Sequence, residues 1–258
     1  MTTMIQADDP TLHVGMVDAT VWAEAVEHLR GDAIPGGDPD RLALWQAAGI
    51  ITDGGPDPLW RRALVIAQTS LRGCRIVSRF GDVVFEAAVL VAAERDWAIC
   101  VTSRATVARD DEGAEVVGAV HPMVEVAIAP ADRLWRLIRR VLPPLEELRH
   151  EPHATRQGSA RRLALEGVVI PESMRTAPEN LTRHLLQLPD LPRELLNVAE
   201  PRAAVFTHTV VADDGAVKAL SRTWALGQRL YLVDVGTASV WEVPPGDLGF
   251  ALVEGLTA

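Results

Sequence analysis

Two cysteines, seven histidines and a few clusters of carboxylates are the groups in this sequence equipped to do chemistry. Cys74 stands between Arg72 and Arg75. Neighbouring positive charge favours a thiolate, so Cys74 is the better reactive candidate of the two, although it reads first as a plain strand-edge cysteine. Cys100 sits within Ala98-Ile99-Cys100-Val101 and reads as a buried, inert thiol. Two cysteines are too few for a disulfide scaffold or a multi-cysteine metal site, and they read as reduced thiols. The stretch His150-Glu151-Pro152-His153 brings two imidazoles and a carboxylate close together in sequence. Its spacing is not His-Glu-x-x-His, and Pro152 forbids a helix interior that would aim both rings one way. The stretch therefore reads first as a solvated loop. His13, His28, His121, His184 and His208 are scattered and read as surface or turn residues.

Other chemistries lack their parts. No Gly-x-Ser-x-Gly elbow occurs, and no nucleophile stands in an obvious constellation with a histidine and an acid. Gly36-Gly37 and Gly54-Gly55 lie in proline-containing turns with no following Lys-Ser/Thr, so no phosphate cradle is expected. Asp8-Asp9, Asp110-Asp111-Glu112 and Asp213-Asp214 lie at an end or next to a glycine turn, where carboxylates solvate a bend. They do not alternate as calcium ligands do. No cofactor and no metal are expected, and the chain is not expected to be an enzyme. The formal charge of −10 opposes binding to duplex nucleic acid, which needs a basic face. The longest apolar run, 83–93, is interrupted by Glu86 and is far shorter than the roughly 20 residues of a membrane span. No signal segment is recognised at the amino end. The expectation is a cytoplasmic protein without membrane or nucleic-acid partners.

The elements that must position these groups follow from periodicity. A strand is expected over 12–17, then a helix capped by Asp18 and carrying Val21, Trp22, Ala25, Val26 and Leu29. Helices over 40–48 and 59–69 follow, the second started by Pro58. The period then changes to two, giving strands at 75–79, 83–93, 97–102, 114–120 and 123–128. Their separators are short, His121-Pro122 among them, so an antiparallel meander is the simplest pairing. A helix over 132–141 follows. Residues 146–200 are rich in arginine and proline, with helical patches at 159–165, 179–188 and 192–198. Strands return at 203–212, 216–225, 229–235 and 239–243, and a helix over 247–256 closes the sequence.

The two strand-rich stretches resemble each other. With Pro130-Ala131-Asp132 laid over Pro245-Gly246-Asp247, Ile128 falls on Val243, Trp135 on Phe250, Leu137 on Leu252, Ile138 on Val253 and Val141 on Leu256. Each copy has a strand ending in proline, an Asp placed to cap the next helix, and an apolar stripe that packs back on the sheet. The organisation expected is α+β: two pseudo-repeated halves of antiparallel sheet with packing helices, residues 12–145 and 201–258, and a helical insert or link over 146–200.

Two features suggest a binding surface. Trp22, Trp45, Trp60 and Trp135 lie on helical stripes and read as core, whereas Trp224 and Trp241 fall in late strands and are candidates for an exposed face. In the middle region Arg156, Arg161 and Arg162 either decorate a solvated helix or, around an apolar stripe that includes Leu185 and Leu186, clasp an acidic or helical partner.

A family resemblance enters here. A helical start, the segment Trp45-Gln46-Ala47-Ala48-Gly49-Ile50-Ile51 followed by Asp53-Gly54, a meander, a helical middle and a closing Trp241-Glu242-Val243-Pro244-Pro245 resemble the EspG family of type VII (ESX) secretion chaperones. The resemblance implies a quasi-twofold α+β fold without catalytic residues. It also implies that the protein holds helical PE–PPE secretion substrates in the cytoplasm, through a sheet loop and the helical region of the second half. The expected function is thus a chaperone or adaptor for a helical type VII secretion substrate, with Arg156, Arg161, Arg162, Leu185, Leu186 and Trp224 as candidate contacts. A small-molecule enzyme using His150, His153 and Cys74 is the alternative. Self-pairing through a sheet edge, giving a homodimer, is compatible with either.

Overall fold

Asp18 ends one element and begins the next. It is the last residue of strand β2 (His13–Asp18), and its carboxylate accepts from the backbone N–H groups of Thr20 and Val21 at 2.9 and 3.3 Å, capping helix α1 (Ala19–His28). Asp57 does the same for helix α3 (Pro58–Thr69), accepting from Leu59 and Trp60, with Pro58 in the first turn where its missing N–H costs nothing. At the other end of α1, Gln68 of α3 donates to the carbonyls of Val26 and Leu29 at 2.6 and 2.7 Å, satisfying groups the helix itself leaves orphaned. The computed structural model describes residues 5–6, 11–29, 39–53, 55–111, 115–154, 160–163, 198–213, 216–234 and 239–258.

Helix α2 (Pro39–Ala47) and the small β3–β4 ladder (Ile51–Thr52 and Gly55–Pro56) join α1 and α3 in one layer. Trp22, Trp45 and Trp60 fill that layer, and Trp22 and Trp60 lie 6.1 Å apart in a tilted pair. All three pack as the sequence stripes imply. Beneath them runs an antiparallel sheet of twelve described strands. Its first half contains β5 (Arg72–Phe80), β6 (Val83–Val91), β7 (Trp97–Arg109), β8 (Glu115–Val120) and β9 (Met123–Pro130). The outermost strand on that side, β1 (Ile5–Gln6), pairs with β2.

The His121-Pro122 separator does not reverse the chain, contrary to the meander expectation. β8 and β9 both run antiparallel to β7: Glu115 pairs with Arg109 and Val120 with Ala105, then Thr102 pairs with Glu125 and Trp97 with Pro130. They are two pieces of one long path, with a register shift in the β7–β8 ladder between Ala105 and Val107. Proline lacks the N–H a central ladder needs, so Pro122 interrupts the strand without turning it.

After β9 a single 3-10 turn (Ala131–Arg133) leads into α4 (Leu134–Val141), and α5 (Glu146–Arg149) follows. The second half contains β11 (Ala203–Asp213), β12 (Ala216–Leu226), β13 (Leu230–Asp234), β14 (Ser239–Val243) and helix α6 (Asp247–Thr257). Arg161–Leu163, expected to be helical, is a strand, β10, antiparallel to β14 at the sheet edge. The patch at 179–188 and most of 192–198 lie outside the described residues.

The strand order is β9-β7-β6-β5 followed by β11-β12-β13-β14. This order is a palindrome about the β5–β11 pair, in which Phe80 opposes Ala203 and Arg72 opposes Val211. Each half is a run of strands ending in a helix. α4 and α6 touch each other on the sheet face opposite α1 to α3. Leu134, Leu137, Ile138 and Val141 of α4 and Leu248, Leu252 and Leu256 of α6 share one buried cluster with Ile76, Val89 and Val205 of the sheet. The two halves therefore meet in one core. The approach of the helices is close: a Cβ on Gly249 would lie 3.1 Å from the Trp135 ring.

The repeat is looser at its caps. Asp132 and Asp247 were both expected to cap a helix, and neither does. α4 enters through the 3-10 turn with no side-chain cap, and the Asp247 carboxylate accepts the indole N–H of Trp224. Gly246 has φ 94°, and a Cβ there would meet the Glu151 carbonyl at 2.7 Å, so the loop after α5 crosses where the first half has Ala131.

Candidate partner-binding surface

Arg161 and Arg162 reach the surface because β10 is the outermost strand on its side, and neighbouring residues of a strand point to opposite faces. Arg161 opposes Glu242 and donates to its Oε2 from Nε at 3.1 Å and from Nη2 at 2.9 Å. Arg229 stands 3.7 Å from the other oxygen of the same carboxylate. Arg162 opposes Trp241 on the other face, its guanidinium carbon 5.8 Å from the ring centroid. Trp241 is half-buried. This edge thus combines exposed guanidinium groups with an aromatic ring.

A cleft of about 370 Å³ lies beside it, lined by Glu147, Arg229, Leu230, Glu242, Val243 and Pro244 among others. Glu147 is 3.8 Å from Arg202, and Glu242 is held by two arginines, so both carboxylates in the cleft are already partnered. An ion-paired carboxylate makes a poor general base.

Apolar surface is also exposed on β12. Its C-terminal end, Thr223–Leu226, pairs with β13, while its N-terminal half pairs only with β11 among the described residues. Val217 and Leu220 in that half are 70% and 48% exposed. A second apolar exposure occurs on β8, at Val116, Val117 and Val120. Neither was anticipated in the sequence reading. The strands themselves are legible, but that they outrun their neighbours depends on the relative lengths of paired strands.

Trp224 corrects one expectation. It is 1% exposed, packed in the core under α6, and its indole N–H donates to Asp247 Oδ2 at 3.1 Å. An alternating strand buries one side, and α6 covers the side on which Trp224 lies. It holds the second half together and offers nothing to a partner in this state. Arg156, Leu185 and Leu186 lie outside the described residues.

Cys74, His150 and His153 form no common site. Cys74 is buried, the Thr209 hydroxyl donates to its sulfur at 3.3 Å, and burial pushes its thiol up to about 11. The flanking arginines do not activate it. The Arg72 guanidinium bonds the Ala258 carbonyl and lies 3.3 Å from Asp213, and Arg75 bonds Glu86 at 2.7 Å. Cys100 is pushed up to about 12, again chiefly by burial. His150 and His153 are exposed. No group of three or more His, Cys, Asp or Glu able to hold a metal occurs among the described residues.

His208 departs from the surface-or-turn reading. It sits within β11, half-buried, with Nδ1 2.8 Å from the Ser221 hydroxyl across the β11–β12 ladder. A serine beside a histidine has the first two parts of a nucleophilic site. Glu86, two strands away, is occupied by Arg75 and does not orient the imidazole. The pair works as a cross-strand tie.

The architecture has a solved counterpart. A Mycobacterium tuberculosis type VII secretion system chaperone, EspG5, whose structure was determined in complex with a PE25–PPE41 dimer, superposes on this chain with a TM-score of 0.53 at 10% sequence identity. The match covers 94% of this chain and 95% of that one. This chain has the EspG5 fold. Coverage that complete means the likeness extends through both halves and their junction. At 10% identity the likeness is one of backbone path. No known family profile matches the chain, and no curated protein matches it in sequence. No helix among the described residues is long and apolar enough to cross a membrane.

Proposed function

We propose that this protein is a cytoplasmic chaperone or adaptor that binds a helical substrate of a type VII secretion system. The likeness to EspG5 along nearly the whole of both chains carries the proposal. The relative was solved holding a PE25–PPE41 dimer, and a helical two-chain substrate of that kind is the partner proposed here.

The second half supplies the surface. Val217 and Leu220 offer apolar area on β12, and Arg161 and Arg162 offer guanidinium groups at the β10 edge of the same half. Leu185, Leu186 and Arg156 belong to the same proposal on the strength of the sequence alone. Exposed apolar area binds by excluding water, while exposed charges set orientation. The thiols and imidazoles take no part, and the protein is proposed not to be an enzyme.

The test is co-expression with PE–PPE pairs encoded by the same host, followed by affinity purification and gel filtration. Elution of a stoichiometric complex that Val217→Asp with Leu220→Asp disrupts is the expected result. Failure of every such pair to co-elute with the folded protein would refute the reading.

A further inference from the structure

Counted outward from the β5–β11 junction, the third strands of the two halves differ in reach. In the first half β7 lies along the whole of β6, from Val91 opposite Ala98 to Val83 opposite Thr106. In the second half the equivalent strand, β13, covers only one end of β12, from Leu226 opposite Leu230 to Thr223 opposite Val233. The next position in that line sets Asp234 against Arg222, and there the chain turns back, with Asp234 pairing with Ser239 of β14. Residues 216–221 of β12 therefore have β11 on one side and, among the described residues, no strand on the other. The pseudo-twofold relation tells what shape fits there: the place open beside β12 is filled beside β6 by the far half of β7, an antiparallel strand.

We propose that this place takes an extended segment of a partner polypeptide, added as a strand antiparallel to β12 and carrying an acidic residue opposite Lys218. Main-chain groups along residues 216–221 supply the hydrogen bonds, and side chains at alternate positions supply the choice of sequence. Lys218 is the one lysine of the sequence. It is exposed, and no carboxylate partners it among the described residues, whereas Arg72, Arg75, Arg140 and Arg161 each hold one. Lys218 shares a face of the strand with Leu220 and Arg222, and Val217, 70% exposed, lies on the other face with Ala219. The position across from Arg222 already holds an acidic residue, Asp234, and an acid across from Lys218 repeats that pairing four residues on. Opposite charges directly across a ladder stabilise it, and like charges destabilise it. β-Branched residues across from Val217 and Leu220 complete the segment.

The lysine also selects. On a strand edge it deters neutral strands and second copies of the same chain, and the same charge admits an acidic strand. Six residues of strand span about 20 Å, well short of the area of a stable interface, so the segment binds weakly on its own. In a larger partner it adds to contacts made elsewhere, because a second site on one molecule acts at high effective concentration. Neither a helical substrate nor a secretion system is needed for this contact. Binding of an extended acidic segment and binding of a PE–PPE pair are separate measurements, and either holds without the other.

The test titrates the full chain into a fluorescein-labelled peptide, Thr-Val-Val-Glu-Val-Thr, whose glutamate falls opposite Lys218 when its first residue lies opposite Ser221. A second peptide carries lysine in place of the glutamate. By fluorescence polarisation the acidic peptide should bind with a Kd below about 1 mM, and the lysine peptide at least about tenfold more weakly. Lys218→Glu should reverse that preference, and a thermal melt of the variant confirms its fold. The single lysine also permits a direct footprint. Acetylation of Lys218 by an N-hydroxysuccinimide ester, followed by mass spectrometry of proteolytic fragments, should slow when the acidic peptide is bound. Absence of binding up to about 1 mM, equal binding of the two peptides, or a bound peptide that leaves Lys218 as reactive as before would each overturn the proposal.

Discussion

Trp224 of β12 donates its indole N–H to the carboxylate of Asp247 at the start of α6, 3.1 Å away, beneath a helix that leaves Trp224 only 1% exposed. The bond ties the closing helix to the sheet. Removing one partner of a buried hydrogen bond costs about 1–3 kcal/mol. Asp247→Ala should lower stability by that amount, which for a chain of this size is a fall in Tm of roughly 2–4 °C per kcal/mol. Partner binding by the folded variant should be unchanged. A thermal melt and a pull-down performed side by side check both halves of the expectation.

Arg161 behaves in the opposite way. Its bond to Glu242 is a surface pair, with the Arg161 side chain 60% exposed, and such pairs contribute about 0–1 kcal/mol. Arg161→Glu should therefore leave the melting temperature nearly unchanged while weakening substrate binding. Titration calorimetry with the purified substrate, at low and high salt, would show the loss. An effect that disappears in high salt is expected for an exposed charge.

The two cysteines predict an alkaline limit to stability. Burial raises Cys74 from 9.0 to about 11 and Cys100 from 9.0 to about 12, so the folded state holds both protons more tightly than the unfolded chain. A raised folded-state value gives stability that is fully present below the unfolded value and is lost as pH rises through the folded one. The contribution should be constant below about pH 9 and decline between pH 9 and about 11 to 12. Denaturant midpoints across that range, compared with those of Cys74→Ala, measure it. At neutral pH a thiol reagent should label neither cysteine in the native protein and both after unfolding.

The pseudo-twofold core gives a paired prediction. Leu137 of α4 and Leu252 of α6 are equivalent in the repeat, both are buried, and both belong to the same cluster. Leu137→Ala and Leu252→Ala should each cost about 2–5 kcal/mol. Because the halves share that core, each should lower a single cooperative transition. A biphasic melt, in which one variant moves only one phase, would contradict the shared core.

The sequence by itself determined most of the local elements and the repeat. Asp18 and Asp57 cap their helices because a short carboxylate next to an amphipathic run has one favourable place to bond. The stripes on α4 and α6 lie against the sheet because nothing else hides their leucines from water. The tertiary structure decided what depends on distant neighbours. Trp224 and Trp241 both lie in late strands, and only the placement of α6 separates the buried ring from the half-buried one. Cys74 seemed the better nucleophile beside two arginines, yet the pleat sends Arg75 and Cys74 to opposite faces, and burial outweighs a charge that is already paired. Val117 and Val217 are exposed because β8 and β12 outrun the strands beside them. Exposure of that kind is a difference between two lengths far apart in the chain, and no local window contains both.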